Sequence, residues 1–182
     1  DEHAHHHAHG DIDPHAWLDP ENGKLWLDVI AYILAEADPE NAAVYLRNAR
    51  AGRDEIDAAI ADVESLLAPF RGKGYIVLHD AYQYFSERFG VPAVGAISPA
   101  DASDPGPARV ARMRTVIAER NVTCLLSETR LNPGLAGLAE AVFGKAGAEI
   151  IVIDPLGTGL EPGSALYPAL LRSIAQGMAR CP

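Results

Sequence analysis

No run of apolar residues in this chain approaches the roughly 20 that a bilayer-crossing helix needs, and an apolar share of 48% is that of an ordinary globular protein. Positive charge is scarce: 15 Lys and Arg stand against 25 Asp and Glu, a net charge of -10. Such a chain repels a phosphate backbone on average, which excludes nucleic acid as a partner unless a local basic stripe exists. The two basic clusters, Arg47 to Arg53 and Arg109 to Arg114, are interleaved with apolar residues and read as solvated helix faces. Cysteine is limited to Cys124 and Cys181. From composition alone they are either two buried thiols of a reducing compartment or a bridge of an oxidising one.

Catalytic and nucleotide-binding signatures are missing too. No Gly-x-Ser-x-Gly occurs, and neither cysteine has a nearby His to activate it. Gly157-Thr158-Gly159-Leu160-Glu161-Pro162 follows a strand-like run but carries Pro where a dinucleotide fingerprint needs its third glycine. Arg71-Gly72-Lys73-Gly74 lacks the Walker spacing and its Ser or Thr. No His-Glu-x-x-His pair is present, and no internal repeat is visible.

What the chain does have is histidine in three places: His3, His5, His6, His7 and His9 in an acidic opening tract, His15 alone, and His79 alone. Imidazole is the commonest side-chain ligand for borderline-soft metals. The tract, led by Asp1 and Glu2 and broken by Ala4 and Ala8, reads as a disordered metal-gathering loop over residues 1–12 rather than an appended tag. The chain opens without Met inside this polar tract, so it is expected to be part of something longer.

The 182 residues suffice for one well-buried domain with an extra helical segment. Residues 13–38 form a segment in which Asp13-Pro14-His15 is irregular, Asp19 is a good N-cap and Pro20 takes the first helical position. Leu25, Trp26, Val29, Ile30, Ile33 and Leu34 follow helical spacing up to Asp38-Pro39. Residues 39–70 read as a long linking helix, Pro39 to Leu67. Residues 71–182 alternate: strands at 75–78, 92–97, 122–127 and 149–153, and helices at 80–89, 108–120, 133–147 and 166–180. This is an α/β pattern, a Rossmann-like lobe with a mostly parallel four-stranded sheet flanked by helices.

In such sheets ligands collect beyond the carboxyl ends of the strands. Strand-like runs here end at His79-Asp80, Ser127-Glu128 and Asp154-Pro155. His79 reads either as a satisfied structural histidine or as a ligand, and His15 either as a loop residue packed on Trp17 or as a preorganised ligand. Asp80 is the natural N-cap of the following helix, or an outer partner for the His79 ring. Glu128 is a partner of Arg130 or part of the site, and Asp154 caps the loop from Pro155 to Gly163 or ligates. Two imidazoles with oxygen suit zinc, whereas carboxylate-rich sets suit manganese.

Taken in order, the His-rich acidic tract, Asp13-Pro14-His15-Ala16-Trp17-Leu18-Asp19-Pro20, Gly72-Lys73-Gly74-Tyr75, His79-Asp80-Ala81-Tyr82-Gln83-Tyr84-Phe85 and Asp154-Pro155-Leu156-Gly157 resemble the zinc-binding solute-binding proteins of bacterial ABC importers, the ZnuA type. The resemblance covers nearly the whole chain and corresponds to the second half of the family. It implies that His15 and His79 match two of three zinc-binding histidines, the third belonging to an amino-terminal lobe with no counterpart here. Asp154 stands where some relatives supply a carboxylate, and manganese-preferring relatives carry a carboxylate at the place of His79. The resemblance further implies a Cys124 to Cys181 disulfide pinning the last helix to the third strand, a periplasmic location, and a monomer that captures Zn(II) and delivers it to a membrane permease without doing chemistry. The stretch Ser127 to Pro133 departs from the family pattern. The competing reading is a zinc-dependent hydrolase on a doubly wound sheet with Glu128 as base, and a third is a small-molecule binder using Tyr82 and Tyr84.

Overall fold

The structure, a computed structural model, describes residues 13–98, 106–120, 122–128 and 148–182. The expectations for residues 1–12, for the 133–147 helix and for Arg130 fall outside the described residues.

Helix formation begins where the sequence places its caps. Helix α1 runs Pro20–Ala37, with the Asp19 carboxylate accepting the Glu21 N–H and Pro20 in the first turn. It ends where Asp38 N–H bonds Leu34 O, just before Pro39. The expected run from Pro39 is split: Pro39–Asn41 is a 3-10 turn and α2 occupies Ala42–Leu67. Its 26 residues make a rod of about 39 Å. Ile56, Ala59, Ile60, Val63 and Leu67 are buried in one stripe, the spacing of a helix with a single apolar face.

Four strands form one parallel sheet: β1 (Tyr75–His79), β2 (Gly95–Ser98), β3 (Cys124–Glu128) and β4 (Glu149–Ile153), in the order β2-β1-β3-β4. Every residue of β1 is buried, as a strand covered on both faces requires. β2 starts three residues later than Pro92, which has no N–H to give to a ladder. Side chains alternate between two cores. Tyr75, Val77, Cys124, Leu126, Ile151 and Ile153 pack toward α2, α3 (Gln83–Phe89) and α5 (Leu166–Ala179). Ile76, Leu78, Ile97 and Leu125 pack toward Met113 and Ile117 of α4 (Pro107–Glu119).

One expectation is corrected. Helix α3 begins at Gln83, not Asp80, and Tyr82 occupies the N-cap position without a side-chain bond. The reason is that Asp80 N–H donates to Ser98 O at 3.2 Å. The backbone therefore stays tied to β2 for one residue beyond β1, and the helix starts only after Ala81 and Tyr82 have turned the chain. The far end of α3 stops at Gly90, whose φ of 67° favours glycine.

The two cysteines are joined. Cys124 and Cys181 form a disulfide with Cα atoms 5.5 Å apart, linking the first residue of β3 to the chain just past α5. Lys73 Nζ donates to Cys181 O at 3.0 Å and Thr123 Oγ1 to Pro182 O at 3.3 Å, adding two weaker ties to the same tail.

Candidate metal centre

Strand parity decides which polar groups meet. β1 pairs with β3 at Val77 and Leu126, so extending the register by two sets His79 beside Glu128, both on the face of Tyr75 and Cys124. Their contact follows: Glu128 Oε1 lies 3.1 Å from His79 Nδ1. The Tyr82 hydroxyl donates to the same oxygen at 3.3 Å. Burial and the neighbouring Glu128 charge push the Tyr82 phenol far above its ordinary range, so this O–H is a permanent donor. The carboxylate beside His79 Nδ1 is that of Glu128, and the Asp80 backbone N–H donates to Ser98 O.

His15 reaches the same place from the opposite direction. It ends a short Asx turn in which Asp13 Oδ1 accepts the His15 backbone N–H at 2.9 Å and sits 2.7 Å from Nδ1. The 3-10 turn Ala16–Leu18 follows at once. Distant residues hold this loop: Trp17 Nε1 donates to Pro155 O at 3.1 Å, Tyr167 Oη to Trp17 O at 2.7 Å, and Tyr84 Oη to Asp13 O at 3.3 Å. A Cβ added at Gly23 would lie 2.7 Å from the Tyr167 ring, so glycine lets that ring approach.

The outcome is two buried imidazoles facing one another. His15 is 7% and His79 9% exposed, with ring centres 4.9 Å apart in an edge-on arrangement. Trp17 covers His15 at 5.2 Å between ring centres. Each Nδ1 has a carboxylate against it, Asp13 for one and Glu128 for the other. Imidazoles that bind metals typically give their other ring N–H to such an acceptor, which fixes tautomer and orientation.

Asp154 behaves differently. Its carboxylate accepts from Leu156 N at 3.0 Å, Gly157 N at 3.1 Å, Thr158 N at 2.6 Å and Thr158 Oγ1 at 2.6 Å. Burial pushes its pKa up, but the hydrogen bonds from the Thr158 hydroxyl and the loop N–H groups outweigh this and hold it below the usual carboxylate range. Among the described residues no group of three or more His, Cys, Asp or Glu is arranged to hold a metal. The arrangement is a two-imidazole face. His3, His5, His6, His7 and His9 lie outside the described residues.

Asp13 was not singled out in the sequence, although its position two residues before a histidine is an Asx signal. Tyr82 and Tyr84, which the third reading of the sequence took as a small-molecule cluster, have hydroxyls that donate to Glu128 Oε1 and Asp13 O. Tyr167 lies 150 residues from Trp17, and nothing local in the sequence announces the bond.

Residues 1–181 match the family described as zinc-uptake complex component A, periplasmic. The chain is 44% identical over 169 residues to the high-affinity zinc uptake system protein ZnuA of Paracoccus denitrificans (strain Pd 1222), covering 93% of this chain and 51% of that protein. It is 42% identical over 172 residues to the protein of the same name from Brucella abortus (strain 2308), covering 94% and 51%. Among solved structures, a ZnuA crystal structure superposes with a TM-score of 0.78 at 26% identity, over 93% of this chain and 62% of that one. A zinc-bound ZnuA lacking its residues 138–173 gives 0.75 at 26% identity, over 93% and 60%. The chain thus spans about half the length of the curated relatives it matches, and by sequence and fold it belongs to the family of periplasmic zinc-uptake component A proteins.

Proposed function

We propose that this chain is the metal-holding carboxy-terminal part of a periplasmic protein that captures Zn(II) and hands it to the membrane permease of an ABC importer. The observation that carries the reading is the buried His15 and His79 pair with a carboxylate behind each ring. With Nδ1–H donated to Asp13 or Glu128, the lone pair available to a metal is that of Nε2 on both rings. Two imidazoles bound through Nε2 to one tetrahedral zinc have ring centres about 5 Å apart, and these lie 4.9 Å apart. Zinc is the cargo, and neutral imidazoles suit it better than they suit manganese. The relatives named above are zinc uptake proteins, which supports the same choice.

In this reading the ligand set is completed by a third histidine from an amino-terminal half outside this chain, which spans about half the length of its curated relatives. The outer face of α1 favours such a neighbour, since Leu25, Trp26, Val29, Ile30 and Ile33 are all 43–60% exposed and a contiguous apolar patch of this kind marks an interaction surface. The face starts directly after the His15 loop. Asp154 is assigned to its loop rather than to the metal, and the tract histidines to auxiliary zinc gathering. In this reading the protein is a monomer and not an enzyme. Glu128, the base that a hydrolase would use here, has Oε1 shared by His79 and Tyr82, which favours a role in holding the imidazole.

The test is zinc titration of the full-length native protein by chelator competition. His15→Ala and His79→Ala should each weaken binding at least tenfold, with no zinc-dependent turnover of generic esters or phosphates. Unchanged affinity in both variants, or turnover abolished by His79→Ala, would overturn the reading.

A further inference from the structure

The Tyr82 ring is buried in the core while its hydroxyl reaches the polar groups at the end of the sheet. The residue is 1% exposed and belongs to the core formed with Tyr75, Phe85 and Phe89. Its O–H points to Glu128 Oε1, the same atom that faces His79 Nδ1. Glu128 itself has a long side chain at the last residue of β3. A glutamate loses one of the larger rotamer entropies when it is fixed, so a single contact to an imidazole leaves it free to swing. A second contact from a ring locked in the core removes that freedom. A phenol donating to this oxygen also leaves the carboxylate as acceptor for the imidazole, so the imidazole must supply its proton from Nδ1.

We propose that Tyr82 is a positioning residue of the metal centre: through its hydrogen bond it holds Glu128 Oε1 against His79 Nδ1, and thereby fixes the tautomer and ring orientation with which His79 meets the metal. This rests on His79 being a ligand, as argued above. Loss of a direct outer partner of a metal-binding histidine typically costs 10–100-fold in affinity. Tyr82 acts one hydrogen bond further out, so its share is about threefold to tenfold. Zinc, which favours imidazole, loses more than manganese, which favours oxygen ligands.

The experiment uses the full-length native protein and three variants: Tyr82→Phe, Glu128→Gln and the double variant. Zinc and manganese affinities come from chelator competition, and the apo His79 tautomer from ¹⁵N shifts of its ring nitrogens. Tyr82→Phe should weaken zinc threefold to tenfold, weaken manganese less, and convert an Nδ1–H tautomer into a mixture. In the Glu128→Gln background the same change should have no further effect, the pattern of two residues acting as one unit. Wild-type zinc affinity and tautomer in Tyr82→Phe would overturn the proposal, as would an equal loss in both backgrounds. So would an apo wild-type protein carrying His79 as Nε2–H, a result that needs no variant to fold. If instead His79→Ala leaves zinc affinity intact, the metal-centre reading itself fails, which is a separate outcome.

Discussion

Removing the Cys124 to Cys181 disulfide tests how the sheet is held. The bridge closes a loop of 57 residues. For that length the loss of loop-closure entropy in the unfolded chain is about 14 cal/mol/K, or about 4 kcal/mol at 25 °C. The tail keeps two other ties, Lys73 to Cys181 O and Thr123 to Pro182 O, but each such bond contributes only about 0.5–1.5 kcal/mol net, less where water competes. The covalent term dominates. Cys124 and Cys181 are 0% and 2% exposed, so Ala is the cleaner replacement, since a serine would add an unpaired hydroxyl to the core. Cys124→Ala/Cys181→Ala should lower the unfolding free energy by about 4 kcal/mol and the melting temperature by roughly 8–16 °C for a chain of this size. Urea unfolding followed by circular dichroism reads the first, and a thermal melt the second. Reduction of the wild type by dithiothreitol should reproduce most of the effect. A double variant within about 1 kcal/mol of wild type would refute the reasoning, because it would mean that the unfolded chain gains little freedom when the bridge is lost.

Three further outcomes follow from the packing. Gly177→Ala puts a Cβ against Ile153 Cγ2 between α5 and β4, an overpacking change that should cost about 1–3 kcal/mol in urea unfolding. Gly23→Ala drives the Tyr167 ring away and frees Trp17 O; zinc affinity should fall while the melting temperature moves by only a few degrees, and calorimetry reads both. Asp154 has its pKa lowered by the loop hydrogen bonds that outweigh burial. Its contribution is therefore fully present above the ordinary carboxylate pKa and is lost as pH falls through the lower folded value. Asp154→Asn should be about 1–2 kcal/mol less stable than wild type near neutral pH, with the gap closing below about pH 4 in urea titrations across pH.

Much of the fold is legible in the sequence because its signals are local. Asp19 with Pro20, the buried run Tyr75 to Leu78 and the apolar spacing of α2 each fix an element with no knowledge of the rest. Asp80 misleads for the converse reason: its capping chemistry is local, but the Ser98 carbonyl that keeps its backbone in the sheet comes from another strand. The candidate metal centre divides the same way. His15 and His79 stand out as isolated histidines beside prolines and a strand end. The pairing of His79 with Glu128 depends on β3 lying next to β1, which strand spacing does not determine, and on both residues having the same parity from a known register.

The three bonds that tie the His15 loop to the rest of the molecule come from Pro155, Tyr167 and Tyr84, all within the part of the chain that also carries His79. His15 and His79 are far apart in sequence, yet these bonds fasten both to the same sheet-bearing part of the chain. The separation of the two imidazoles is accordingly set by the fold of this part alone, so the ion proposed for them would gain or lose neighbours only on its other side.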